Sequence, residues 1–150
     1  MQVGGGIAGA VLADAMFDQP RFQVATTDRV STRHLHGELV ATARLITVIF
    51  TLARSGRAWM SAAAVGAYIG PAYWFTSSTS FANPAVTVGR EFSDTFTGIA
   101  PASLPGFVAV QLVGAALGLA VVLALYPGAR AAAAGAASHH LPPRKGAPHG

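Results

Sequence analysis

Asn83 and Pro84 are the residues best placed to do chemistry. Asparagine favours the position just before a helix, where its side-chain oxygen takes up an unpaired backbone N–H. Proline suits the first helical position, where its missing N–H costs nothing. The pair therefore marks an abrupt helix start, and Ala85-Val86-Thr87-Val88 continues it as a short apolar helix. The chemistry this offers is recognition: an amide and several unpaired N–H groups at a partly positive helix end. No catalytic constellation accompanies it, and an enzyme is not expected. The chain has 0 Cys, which excludes a disulfide framework, a thiolate nucleophile and a cysteine metal site. His34 and His36 would share one face of an extended chain, but no third ligand is evident, and His139-His140 stand in a low-complexity stretch. Neither a metal nor a cofactor is expected.

The elements that position this stretch are apolar. Of the 150 residues, 52% are hydrophobic and only 11% charged, against about 25% charged in soluble domains. This deficit and several apolar runs point to a protein embedded in lipid. Residues 2–17 form a Gly-rich helical run that falls short of the about 20 residues needed to span a bilayer. A polar connection covers 18–34. A second helix is expected from about 35 to 53, a third from 58 to 75 and a fourth from 105 to 126. Trp59, Tyr73 and Trp74 suit the two interfaces of the third helix. The stretch 76–90 then enters the bilayer without crossing it. Such backbone survives there only when buried in protein or lining a wet cavity. Residues 128–150, rich in Ala and then Pro and His, read as a disordered low-complexity tail. The formal charge is +4, but the basic residues are scattered and not set among stacking aromatics, so no nucleic-acid partner is expected.

Glu38, Thr42 and Arg44 lie inside the second helix. Charges there are costly and usually face a bundle interior or an aqueous path. Glu38 is read either in that way or as an interfacial residue near the helix end. Arg44 has three readings: snorkelling, pairing with Glu38, or a decaying sequence. Arg54 and Arg57 in a short turn favour the cytoplasmic side, but Arg21, Arg29 and Arg33 on the opposite side weaken that bias. One repeat is visible: Gln2-x-x-Gly5-x-x-x-Gly9 recurs as Gln111-x-x-Gly114-x-x-x-Gly118. This is the pattern expected of two halves of an inverted-repeat membrane protein.

The block Phe81-Ala82-Asn83-Pro84-Ala85-Val86-Thr87-Val88-Gly89-Arg90, flanked by spanning-length segments, resembles the signature of the aquaporin (major intrinsic protein) family. The resemblance covers roughly residues 2 to 126. It implies an all-α membrane protein: a partial aquaporin-like bundle of about four transmembrane helices plus one re-entrant Asn-Pro-Ala half-helix, occupying residues 1–127. The segments match the second half of a family member plus the last helix of the first half. Asn-Pro-Ala-Val-Thr also resembles the family's first half-helix. On the second-half register the chain opens inside a spanning helix, and a first half is expected upstream.

The resemblance further implies a multi-pass protein of the inner cell membrane. Its partners would be the lipid bilayer and small neutral solutes, and the complete chain would form a homo-tetramer. Its function would be passive passage of water, glycerol or undissociated metalloid acids such as arsenite. A non-conducting remnant and a membrane assembly partner are the alternatives. The site would comprise Asn83, Pro84 and Ala85 at the pore, with the carbonyls of Ser80, Phe81 and Ala82 as acceptors, and Glu38 with Thr42 as support for the loop. Where the family usually has Arg, directly after the tripeptide, this chain has Val86. Arg90 lies one turn further on and is not expected to reach the same point. Counting back to the family's filter position on the preceding helix lands on Gly70 or Pro71. Neither side chain narrows a pore, so a wide filter of low positive potential is expected.

Overall fold

The computed structural model describes residues 1–20 and 23–127. The tail expected over 128–150, with His139 and His140, lies outside the described residues, as does Arg21. Five α-helices run in order: α1 (Gln2–Met16), α2 (Thr32–Arg54), α3 (Ser61–Phe75), α4 (Pro84–Gly89) and α5 (Leu104–Leu125). Short 3₁₀ turns precede α3 (Ala58–Met60), follow α4 (Arg90–Phe92) and lead into α5 (Pro101–Ser103). There is no strand among the described residues.

Among the described residues, two helices are long and apolar enough to cross a bilayer: Thr32–Arg54 and Pro101–Leu125. With 15 residues each, α1 and α3 are shorter than the about 20 needed to span. The expected α2 began at 35, but the helix starts three residues earlier. Ser31 is the reason: its hydroxyl accepts from the His34 N–H and caps the first turn.

α2 and α5 form the main seam, and small residues let their backbones meet. A methyl group on Gly114 would lie 2.7 Å from the Leu39 carbonyl oxygen, and one on Gly118 would overlap the Ala43 carbonyl oxygen. Close backbone approach of this kind is how helices associate where lipid offers no hydrophobic contrast. The half-helix α4 is seated on α1 by the same means. A methyl on Gly89 would lie 2.9 Å from the backbone of Gly6. Tyr68 ties α3 to α2, its hydroxyl donating to the Ala41 carbonyl at 2.9 Å. The two halves of the glycine repeat differ: Gly114 and Gly118 are packed, whereas nothing comes within 4 Å of a methyl placed on Gly5 or Gly9.

Candidate functional site

The site begins at the turn into α4. Asn83 is extended (φ −157°, ψ 123°), and its Oδ1 accepts from the Ala85 N–H at 2.8 Å, with Pro84 at the first helical position. Its Nδ2 donors therefore face away from the cap. Thr87 donates to the Asn83 carbonyl at 3.0 Å and fixes the turn from the other side. The approach to Asn83 is less ordinary. Thr79, Ser80 and Ala82 all have positive φ (62°, 48° and 50°). Left-handed backbone is costly for residues with a Cβ and persists only where the surroundings impose it.

Glu38 imposes it. The residue is fully buried on α2, and its Oε2 accepts from the Phe81 N–H at 3.2 Å, while Oε1 accepts from the Ala82 N–H. Gln111 of α5 completes the latch. Its Nε2 donates at 2.8 Å to Glu38 Oε1 and at 2.8 Å to Thr87 Oγ1. A carboxylate on one helix and an amide on another thus hold both the loop and the half-helix. In the sequence, Gln111 stands out only as the first residue of the second copy of the glycine repeat. Thr42, one turn after Glu38, makes no bond to the loop: its buried hydroxyl is partnerless and it packs where Gly114 lets α5 come close.

Phe81 anchors the loop by its side chain. It packs with Ile99 and Phe107 in the core, its ring centroid 5.4 Å from that of Phe107, with Leu35 and Val86 against the cluster. Two guanidinium groups sit over this ring, Arg29 at 5.5 Å and Arg90 at 4.9 Å from the centroid. Arg29 is committed to structure, donating from Nε to the Gly98 carbonyl at 2.7 Å and from Nη2 to Phe96 at 2.6 Å. Beside it, Asp28 accepts at Oδ1 from the Val30 N–H at 2.9 Å and the Ser103 hydroxyl at 2.7 Å. These bonds, Val30 first, hold the exposed Asp28 carboxyl below its ordinary range.

A cavity of about 580 Å³ opens beside α4, lined by Val86, Gly89, Arg90, Tyr73, Asp14 and Phe96 among others. From sequence, Val86 is expected at a filter with Gly70 or Pro71, with Arg90 out of reach of the same point. Gly70 and Pro71 are instead exposed and outside this cavity, and Tyr73, two residues on, lines it. Arg90 lines the same cavity as Val86, because four residues along a helix bring both to one face. Tyr73 and Arg90 are thus among the residues lining this cavity.

Arg44 is exposed on α2, its guanidinium 5.8 Å from the centroid of the Phe75 ring. It does not pair with Glu38, whose oxygens serve Phe81, Ala82 and Gln111. His34 and His36 fall within α2, not on extended chain. Residues two apart on a helix do not share a face, and His36 Nδ1 donates to the Thr32 carbonyl at 2.8 Å.

The all-helical bundle, with two helices of membrane length and a short capped helix seated by a buried carboxylate, is consistent with a partial aquaporin-like membrane protein. Over 132 residues, 86% of its length, the chain is 45% identical to aquaglyceroporin AqpS of Rhizobium meliloti (strain 1021), and over that span it belongs to the aquaporin (major intrinsic protein) family. The match covers 55% of that relative, so the chain spans about half the length of the curated relative it matches. No family model matches the sequence. No solved structure matches it.

Proposed function

We propose that this chain forms part of a passive channel for small neutral solutes such as water, glycerol or undissociated metalloid acids. The observation that carries the reading is the latch of Glu38 and Gln111, which holds Phe81 and Ala82 just before Asn83, whose oxygen is already spent on the cap. In this reading Asn83, Pro84 and Ala85 line the passage, Asn83 Nδ2 donates to a passing oxygen, and the carbonyls of Ser80, Phe81 and Ala82 accept from passing O–H groups. A solute held by one donor and a few acceptors needs no charge and undergoes no reaction. Aquaporin-type pores are known to select by diameter, lining donors and electrostatic barriers, and the same levers are available here.

Four longer helices and one half-helix do not readily enclose a pore. We therefore assign conduction to the assembly this chain forms with a first half carrying its own Asn-Pro-Ala helix, in the inner membrane and as a homo-tetramer. The name of its relative, an aquaglyceroporin, supports solutes larger than water. So does the small apolar Val86 on the cavity wall. The test is stopped-flow swelling of proteoliposomes in water, glycerol and arsenite gradients, with the purified chain alone and joined to a first half. Val86→Arg in the joined channel is expected to cut glycerol flux about tenfold while water flux stays within about twofold, the difference of one filter contact. Equal glycerol flux in both versions would remove Val86 from the filter. Absence of any flux in the joined channel would remove the channel reading itself.

A further inference from the structure

We infer that Arg44 marks a docking face for a partner helix from outside this chain, one that carries a carboxylate near its middle. This face is separate from the passage proposed above. It requires only that α2 crosses the bilayer.

Depth makes Arg44 unusual. It stands twelve residues past Thr32 and ten before Arg54, the two ends of α2. At the rise of an α-helix, that is about 18 Å from one end and about 15 Å from the other. Snorkelling lifts a charge into the headgroups from near the end of a span, and neither end is near. The interior does not serve it either. Six residues separate Arg44 from Glu38, which leaves about 120° of helix between them. Glu38 is buried in the latch, and Arg44 is exposed on the outside of the bundle. Among the described residues no carboxylate and no hydrogen bond serves its guanidinium. It rests against the Phe75 ring at the end of α3, 5.8 Å from the centroid. A ring face attracts the charge but supplies no carboxylate or carbonyl oxygen to the N–H groups.

The surroundings available at that depth narrow the occupant. Lipid tails offer no acceptor, and lipid phosphates lie beyond the ends of α2. The backbone carbonyls of a neighbouring helix are spent on its own hydrogen-bond ladder. A carboxylate side chain meets the planar fork with two parallel bonds and cancels the charge. A second copy of this chain does not provide one. Of its 6 acids, Asp14 and Glu38 are buried, and Asp18, Asp28, Glu91 and Asp94 lie in the connections between the longer helices. The acid must therefore come from a different helix. Apolar surface for such a helix flanks the charge: Val40, one turn before Arg44, is 50% exposed, and Phe75 is 56% exposed. Packing around a single polar pair is how helices associate in lipid.

The experiment titrates the full purified chain, in phosphatidylcholine vesicles, with a leucine host helix of about 20 residues carrying one Glu at its centre. Matched helices carry Gln or Lys at that position, and association is read by energy transfer between labels on chain and helix. The Glu helix is expected to bind about tenfold more tightly than the Gln helix, the scale of one interhelical polar contact in lipid, and the Lys helix more weakly than either. Arg44→Gln is expected to bring the Glu and Gln helices within about twofold of each other. Arg44→Lys keeps the charge without the fork and is expected to retain part of the preference. Circular dichroism checks that both variants keep their helices, as an exposed position predicts. No preference for the Glu helix in the parent chain, or a preference that survives in Arg44→Gln, overturns the inference. Phosphatidylglycerol vesicles form the second arm: the preference is expected to persist there, and its loss would assign Arg44 to lipid phosphate and overturn the inference as well. No solute flux enters these readouts, so failure here leaves the channel reading standing, and failure of the swelling assays leaves the Arg44 face standing.

Discussion

Three donors converge on two oxygens at Glu38: the N–H groups of Phe81 and Ala82, and the Gln111 amide. A carboxylate accepts all three; a carboxamide turns an NH₂ toward at least one of them. Glu38→Gln is therefore expected to lower stability by about 3 kcal/mol, the scale of a broken buried charge-assisted bond. Thermal loss of helicity in detergent measures this, and an unchanged melting temperature would show that the loop is held by something else. Asp28 gives a pH-dependent counterpart outside the spans. Its folded carboxyl is more acidic than its unfolded one, because Val30 and Ser103 donate to the ionised form. The sign follows: its contribution is complete above the ordinary carboxylate range and is lost as pH falls through the lowered folded value. Ser103→Ala is expected to move the Asp28 titration upward, toward that of an ordinary aspartate, in carbon-detected NMR. No movement would mean that the hydroxyl bond contributes nothing.

The helices test the packing argument. Gly118→Val would force α5 off the Ala43 carbonyl and is expected to cost about 1–3 kcal/mol, the range for overpacking. Gly9→Ala meets nothing within 4 Å and is expected to be neutral or to stabilise by up to about 1 kcal/mol, through better helix propensity. Thermal melts of the two variants side by side check this; equal losses would refute the seam. At this scale the sequence was most legible where local rules suffice. Asn83 and Pro84 announced the start of α4, and the isolated acid Glu38 in an apolar run announced a buried partner. It was least legible across the loop. Counting residues back from Asn83 assumes a fixed span per residue, whereas residues 79, 80 and 82 are left-handed, and the residue of that helix that lines the cavity beside α4 is Tyr73. Arg90 was readable in principle, since four residues from Val86 is one helical turn. Gln111 was visible only as a repeat, because its partners come from two other elements.

For the molecule as a whole, the similarity to an aquaglyceroporin and two helices of membrane length make this a membrane protein. The expressed chain is therefore expected to sediment with membranes and to require detergent for extraction. Recovery in the high-speed supernatant of carbonate-washed cells would contradict this. The exposed large apolar side chains, Leu12, Phe17, Trp59, Trp74, Leu112 and Leu125 among them, are spread over the surface as lipid or a further helix would require. The loops at one end are tied to each other as well: Thr26 and Asp94 bond by backbone and side chain, and Arg29 reaches across to Gly98.

The left-handed residues before Asn83 have a wider consequence. Their shape is foreign to their own side chains, and where it meets Asn83 it is held by an acid and an amide that, on the proposed channel reading, lie outside the conduit. Variation could then retune such a conduit from behind, through the interiors of α2 and α5, with every residue of its wall unchanged. A search for what distinguishes two such conduits should therefore start one layer out from the surface the cargo touches.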